Sequence, residues 1–223
     1  MRASRSRLAA ASDQDLQTRV KRYYRFEEDY DWTRAADTFT GLETIFHRAR
    51  GRETLRLVQE AGGRGRYLDV GCGTAMITRL LPPGTVGVDL NPRNLHKAMH
   101  YAPRVRFVLA DAEGVMPLRT ESFDVAICTE VLEHLLDPLK AVGEIHRILK
   151  SLGMLVGSVP GRSPLWKLRW LSASRQAFAD EPYHKHYSRQ DIEQLLFPHF
   201  HIQSLYSKHL ELNWFFVAVK KVP

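Results

Sequence analysis

The chain has 223 residues, enough for one large domain or a domain with an appendage and too few for a tandem array of modules. With 44% hydrophobic and 10% aromatic residues it has material for a core, which excludes a disordered polypeptide. The net charge of +7 raises nucleic acid, anionic membrane and acidic substrates as partners, but seven basic residues from Arg2 to Arg25, against Asp13 and Asp15, put +5 of it in the first 25 residues.

Residues 1–18 read as a flexible basic tail. The stretch MRASRSRLAAAS weakly resembles an organelle transit peptide, and a frayed tail is the expectation. No apolar run approaches the roughly 18–20 residues of a membrane span, nor is there the h-region of a secretory signal. Two cysteines, Cys72 and Cys128, are too few and too widely spaced for a disulfide framework or a zinc site, so no metal is expected and a reducing cytosol is the expected compartment. Residues 19–61 read as two helices, with Tyr23, Tyr24, Phe26, Tyr30, Trp32, Phe39 and Phe46 among charges. Tyr24, Tyr30 and Trp32 suit a cation–π wall and suit ordinary helix packing equally.

From residue 62 onward, short β-type runs alternate with helical patterns. The expected strands are Arg66–Val70, Thr85–Leu90, Val105–Leu109, Phe123–Cys128 and Leu152–Val159, each rich in Val, Ile, Leu or Phe and closed by Gly, Asp or Pro. A helix is expected over about Ala75–Leu81. Asn91-Pro92 and Asp137-Pro138 each set an N-cap before a proline at the first helical position. Beyond Asp137, Leu139, Val142, Ile145, Ile148 and Leu149 form an apolar stripe at helical spacing. The order implies an α/β fold with a doubly wound, Rossmann-like sheet, in which ligands bind at the carboxyl ends of the strands. Two further alternating runs, His201–Ser207 and Trp214–Lys221, fit a closing antiparallel hairpin and bring the sheet to about seven strands.

The strand ends carry the candidate site. Gly71 and Gly73 follow Asp69 at the first, where a sharp turn and a close backbone approach to a ligand need the absence of a side chain. Eighteen residues beyond Gly71 stands Asp89, where an acid can accept from two ribose hydroxyls. Both dinucleotide and S-adenosylmethionine sites use that device. A dinucleotide fingerprint wants Gly or Ala at position 76, where Met76 stands, and an acid at Asp69 would repel a pyrophosphate while attracting a methionine ammonium.

The stretches LDVGCGTAMIT, GVDLNP and LADAEGVMPLRTESFDVAICTEVLEHLLDPLKAVGEIHRILKSLGMLVGSVP resemble the class I S-adenosylmethionine-dependent methyltransferases, and are similar to the small-molecule branch that includes the ubiquinone and menaquinone biosynthesis enzymes. The resemblance implies a methyltransferase domain over residues 62–223 with S-adenosyl-L-methionine as methyl donor. It implies that Asp69 reaches the methionine amino group, Gly71 and Gly73 let the backbone lie against the cofactor, Asp89 holds the ribose and Leu90 flanks the adenine. Asp111 and Ala112 would receive the adenine edge, and Thr129 and Glu130 would lie under the methionine and sulfonium. Ala75 departs from the family by standing where many relatives have a third glycine.

Methyl transfer is an in-line displacement that asks the protein for alignment and exclusion of water, with a general base only where the acceptor must lose a proton. His134 is the candidate base, and a bracing histidine is the equal alternative. Glu133 could orient His134 or bind an adventitious divalent cation, and reads first as complementing the dipole of the next helix. Downstream, residues 162–183 form an insertion whose segment 162–178 carries +4 and sets Trp166 and Trp170 among Lys167, Arg169 and Arg175. It suits a packed helix, a substrate cover or a helix on an anionic surface. His184 and His186 would share one face of an extended segment, and Ser188 with Asp191 looks like a capping box for a helix Gln190–Phe197.

The expected protein is therefore a methyltransferase acting on a small, apolar or lipid-like acceptor, cytoplasmic, with peripheral contact to an anionic membrane as the use left for its charge. A cofactor-binding scaffold or sensor, and a protein or nucleic-acid methyltransferase, are the alternatives. The absence of an Asn/Asp-Pro-Pro-Tyr/Phe tetrapeptide after the fourth strand, and of a basic stripe between Tyr67 and Pro160, argues against nucleic acid.

Overall fold

A computed structural model describes residues 14–38, 42–62, 65–164, 181–208 and 210–222. The tail up to residue 13 and the greater part of the 162–183 insertion lie outside the described residues. Helix α1 (14–22) runs into a five-residue π-turn, Tyr23–Glu27, followed by α2 (Trp32–Asp37) and α3 (Leu42–Ala61). The expectation of two N-terminal helices is thus corrected to three, with 14–18 already helical. Asp31 separates the second from the first, its side chain accepting from the Arg34 amide at 2.9 Å.

Seven strands follow: β1 (Tyr67–Val70), β2 (Val86–Asp89), β3 (Arg106–Leu109), β4 (Phe123–Thr129), β5 (Leu149–Pro160), β6 (Phe200–Lys208) and β7 (Asn213–Lys220). They make one sheet in the order β3-β2-β1-β4-β5-β7-β6. The first five are parallel, and β7 runs antiparallel to both β5 and β6. The chain winds outward from β1 to β3 and returns to β4 on the other side of β1. The switch point, and the cleft it opens, therefore lie past Val70 and Cys128, which pair in register.

Successive side chains of β4 alternate between the two faces. Ala126 and Cys128 pack with Ala141, Val142, Ile145 and Ile148 of α5 (Pro138–Ile148) and Ile192 and Leu196 of α6 (Arg189–Leu196). Val125 and Ile127 face the other way, onto Leu57 and Val58 of α3. Leu139 begins the expected stripe of α5 but is exposed.

The helix ends separate local from tertiary signals. Asn91 caps α4 (Pro92–Tyr101), accepting from the Arg93 and Asn94 amides, and Ser188 and Asp191 close a full capping box on α6. Asp137 makes no side-chain cap to α5 and instead pairs with Lys140 at 3.2 Å. The helix expected over Ala75–Leu81 does not form; turns lead to one 3₁₀ turn, Thr78–Leu80. Ala75 holds φ +67°, outside the right-handed helical region, and Thr78 Oγ1 donates to Asp69 Oδ2 at 2.6 Å.

Candidate functional site

The ten residues singled out at the strand ends line one cavity of about 410 Å³ over the carboxyl ends of β1, β2, β3 and β4: Asp69, Gly71, Gly73, Asp89, Leu90, Asp111, Ala112, Thr129, Glu130 and His134. Its floor is the turn after β1. The Gly71 and Cys72 amides both donate to the Val88 carbonyl, at 2.8 and 2.9 Å, locking the turn to β2. Gly71 holds φ +70°, and a Cβ there would stand 2.2 Å from Cγ2 of Val131, so glycine is required by both conformation and space.

Asp89 is oriented by two amides: Gly73 N donates to Oδ2 and Asn91 N to Oδ1, each at 2.8 Å. Burial pushes its carboxyl up to about 6, against the pull of those amides. Asp69 is pushed up to about 7, chiefly by burial and further by the charge of Asp89, with Thr78 opposing. A buried carboxyl beside a half-buried one makes a site that gains from a cationic or hydroxyl-bearing ligand and repels a pyrophosphate.

At the third strand end, Asp111 Oδ1 accepts from the Glu113 amide at 2.9 Å and Oδ2 meets Lys21 Nζ of α1 at 2.6 Å. Glu130, just past β4 with φ +55°, is engaged on every side. Ser158 Oγ donates to it at 2.8 Å, Asn213 Nδ2 at 3.0 and 3.1 Å to its two oxygens, and Arg50 of α3 pairs with Oε2 at 3.0 Å. The carboxylate thus serves to hold Arg50 in the cavity wall.

The N-terminal helices cover the cavity through polar contacts, some buried and some at the surface. Thr33 Oγ1 donates to the Thr74 carbonyl at 2.6 Å, and Asp37 pairs with both terminal nitrogens of Arg79. Buried Glu28 accepts from Asn94 Nδ2 at 3.0 Å and from the Tyr30 amide at 2.6 Å. Trp32 lies against Gly73, where a Cβ would stand 3.1 Å from Cδ1. Tyr24 and Trp32 line the cavity; Tyr30 packs edge-on to Trp32, with centroids 4.4 Å apart.

At the far end stands a second group of polar side chains. His134 Nδ1 lies 2.8 Å from Glu181 Oε1 and 2.7 Å from the Tyr24 hydroxyl, which also donates to Glu181. His184 Nδ1 lies 3.1 Å from Glu181 Oε2. Although burial opposes it, hydrogen bonds from His134 and His184 hold Glu181 well below the usual carboxylate range. Burial pushes Tyr24 far up, as does the charge of Glu181. Glu133, read as a helix-dipole partner, is 1% exposed and lines this cavity, and burial drives its carboxyl well up. It turns inward because the 3₁₀ turn Leu132–His134 carries it under the loop, where Lys185 N donates to its carbonyl at 2.9 Å.

Arg50, Glu28 and Glu181 were not legible as site residues. Arg50 sits in a largely polar helix with no marking pattern; for Glu181, the available signal was its place three residues before His184.

Residues 68–157 match the family model described as a methyltransferase domain. A ubiquinone biosynthesis O-methyltransferase of Cereibacter sphaeroides is 32% identical over 123 residues, 48% of this chain and 49% of that protein. The human thiol S-methyltransferase TMT1B is 35% identical over 103 residues, 43% of this chain and 42% of that protein. The chain thus spans about half the length of the curated relatives it matches. Among solved structures, the N-methyltransferase NodS of Bradyrhizobium japonicum, in complex with S-adenosyl-L-homocysteine, superposes with a TM-score of 0.64 at 16% identity, covering 93% of this chain and 99% of that one. That likeness shows the fold.

Proposed function

We propose that the chain, whose residues 68–157 match the methyltransferase domain model, transfers a methyl group from S-adenosyl-L-methionine to a small acceptor carrying an ionisable oxygen or sulfur. The observation that carries the reading is the convergence of four strand ends on one cavity, with Asp89 held by the Gly73 and Asn91 amides. The cavity fits the donor: Gly71 has no room for a Cβ, and buried Asp69 with half-buried Asp89 suits an ammonium and a ribose.

The donor supplies an electrophilic methyl on a sulfonium. Asp69 holds the ammonium and Arg50, fixed by Glu130, receives the carboxylate. Asp89 takes the ribose hydroxyls, Leu90 flanks the adenine, and Asp111 with Ala112 receives its edge. Thr129 and Glu130 border the methionine end. Lys21 of α1 pairs with Asp111, so the segment 19–61 acts as a lid that excludes water once the donor is seated. His134 meets the acceptor's proton, with Glu181 fixing its ring through Nδ1.

Phe46, Val131, Leu135 and Leu212 give the cavity apolar walls, which supports an apolar or lipid-like acceptor. The names of the O- and S-methyltransferase relatives favour a phenolic or thiol group on it. Among the described residues no helix is long and apolar enough to cross a membrane. A cytoplasmic protein touching anionic lipid through residues 1–18 and 162–183 accords with the placement of its charge; co-sedimentation with anionic vesicles, lost on deleting residues 1–18, tests it. The test of the activity is transfer of labelled methyl to lysate pools of lipids, polar small molecules, proteins and nucleic acids. Label is expected in the small-molecule or lipid pool. Label confined to protein or nucleic acid would overturn the acceptor class, and none in any pool would favour a cofactor-binding scaffold.

A further inference from the structure

We propose that His134, Glu181 and His184 form a binding site for one divalent transition-metal ion at the acceptor end of the cavity. The three side chains can each present a ligand atom within 4.8 Å of the others. Atoms around a zinc ion at its usual bond lengths stand about 3.3 Å apart, so small side-chain rotations close the set. Two imidazoles and a carboxylate suit zinc, iron, cobalt or nickel rather than magnesium or calcium.

A second observation points to a cation as ligand. Oε2 of Glu133 and Nε2 of His184 are buried without a hydrogen-bond partner, and both residues line the same cavity. Oε1 of Glu133 lies 3.8 Å from Nε2 of His134. Buried polar atoms are ordinarily satisfied, and a bound cation is one group that satisfies a buried carboxylate oxygen or imidazole nitrogen. Glu130 also borders the cavity but is occupied by Arg50, Ser158 and Asn213, which leaves Glu133 and Glu181 as the carboxylates facing this end. The Tyr24 hydroxyl, 2.7 Å from His134 Nδ1, closes the cluster on the side of the lid.

Three protein ligands leave positions open toward the cavity, where an acceptor's phenolic oxygen or thiol sulfur can bind and be acidified. This deepens the proposed function and rests on it for the identity of the acceptor end. In the ion-loaded protein His134 acts through the ion; in the ion-free protein its imidazole meets the acceptor's proton directly.

The test uses the full chain stripped with chelator, titrated calorimetrically with zinc and followed with cobalt by its visible absorption, each with and without S-adenosylhomocysteine. One ion per chain is expected, with affinity falling tenfold or more in both His184→Ala and Glu181→Gln, while S-adenosylhomocysteine affinity stays within about twofold. Retained S-adenosylhomocysteine binding shows that the variants fold. Failure to bind a stoichiometric ion, or affinity in either variant unchanged from that of the unaltered chain, overturns the metal site and leaves a hydrogen-bonded relay. Loss of S-adenosylhomocysteine binding by the unaltered chain would instead count against the proposed function.

Discussion

The amide of Gly73 donates to Oδ2 of Asp89 at 2.8 Å, so the turn after β1 aims the carboxylate that ends β2. Two strand ends are thereby built into one binding surface before any ligand arrives. Asp89→Ala removes both the acceptor of that amide and the proposed partner of the ribose. Charged hydrogen bonds are worth about 1.5–3 kcal/mol, so S-adenosylhomocysteine affinity should fall roughly tenfold or more by calorimetry. Unchanged affinity would remove Asp89 from the site.

With Asp69 raised to about 7 and Asp89 to about 6, the roles proposed for these carboxyls would make donor binding a proton-coupled event. An ammonium beside Asp69 and hydroxyls on Asp89 favour the charged forms, so binding near pH 6.5 should release protons and affinity should rise from pH 5.5 to 7.5. Calorimetry in buffers of different ionisation enthalpy reads the release directly; heats independent of buffer would contradict it. The stability of the free protein moves the other way. Between about pH 4 and 7 the folded chain holds more protons on these groups than the unfolded one, so their contribution to stability falls as pH rises through that window.

Gly71→Ala places a methyl 2.2 Å from Val131 Cγ2 at φ +70°. Overpacking plus the left-handed conformation should cost about 1–3 kcal/mol, a fall in Tm of roughly 2–4 °C for each kcal/mol in a chain this size. Adding Val131→Ala should recover part of the loss. No change in Tm for the single variant would mean that the turn relaxes freely.

Ala75 is fully buried at φ +67°, a conformation that glycine adopts without strain. Ala75→Gly loses a buried methyl and gains unfolded-state freedom but relieves about 1–2 kcal/mol of strain, so it should be neutral to within about 0.5 kcal/mol in denaturant unfolding. Ala98→Gly, at an equally buried position inside α4, has no strain to relieve and should cost about 1 kcal/mol or more.

The sequence features that proved legible are those whose physics is local. Apolar runs closed by Gly, Asp or Pro located the parallel strands and alternation the C-terminal hairpin, and Asn91-Pro92 and Ser188 with Asp191 marked real helix starts because a cap needs only neighbouring amides. Asp137 has the same local form, yet its side chain lies toward Lys140. The expected helix at Ala75–Leu81 was lost to tertiary bonds, Thr78 to Asp69 and Gly73 to Asp89, that its own pattern does not display. Within the site, Asp69, Gly71, Gly73 and Asp89 stood out by turn chemistry and spacing, while Leu90, Asp111, Ala112, Thr129 and Glu130 were implied by the family resemblance. Arg50 and Glu181 reach the same cavity from a distant helix and a late loop, and Glu133 was misread because only the fold shows that its turn faces inward.

Calorimetric titration of the purified chain with S-adenosylhomocysteine, with NAD as the control, tests the central claim most directly. The account predicts one saturable site for S-adenosylhomocysteine per chain and none for NAD. Saturable binding of NAD with no heat from S-adenosylhomocysteine would contradict it.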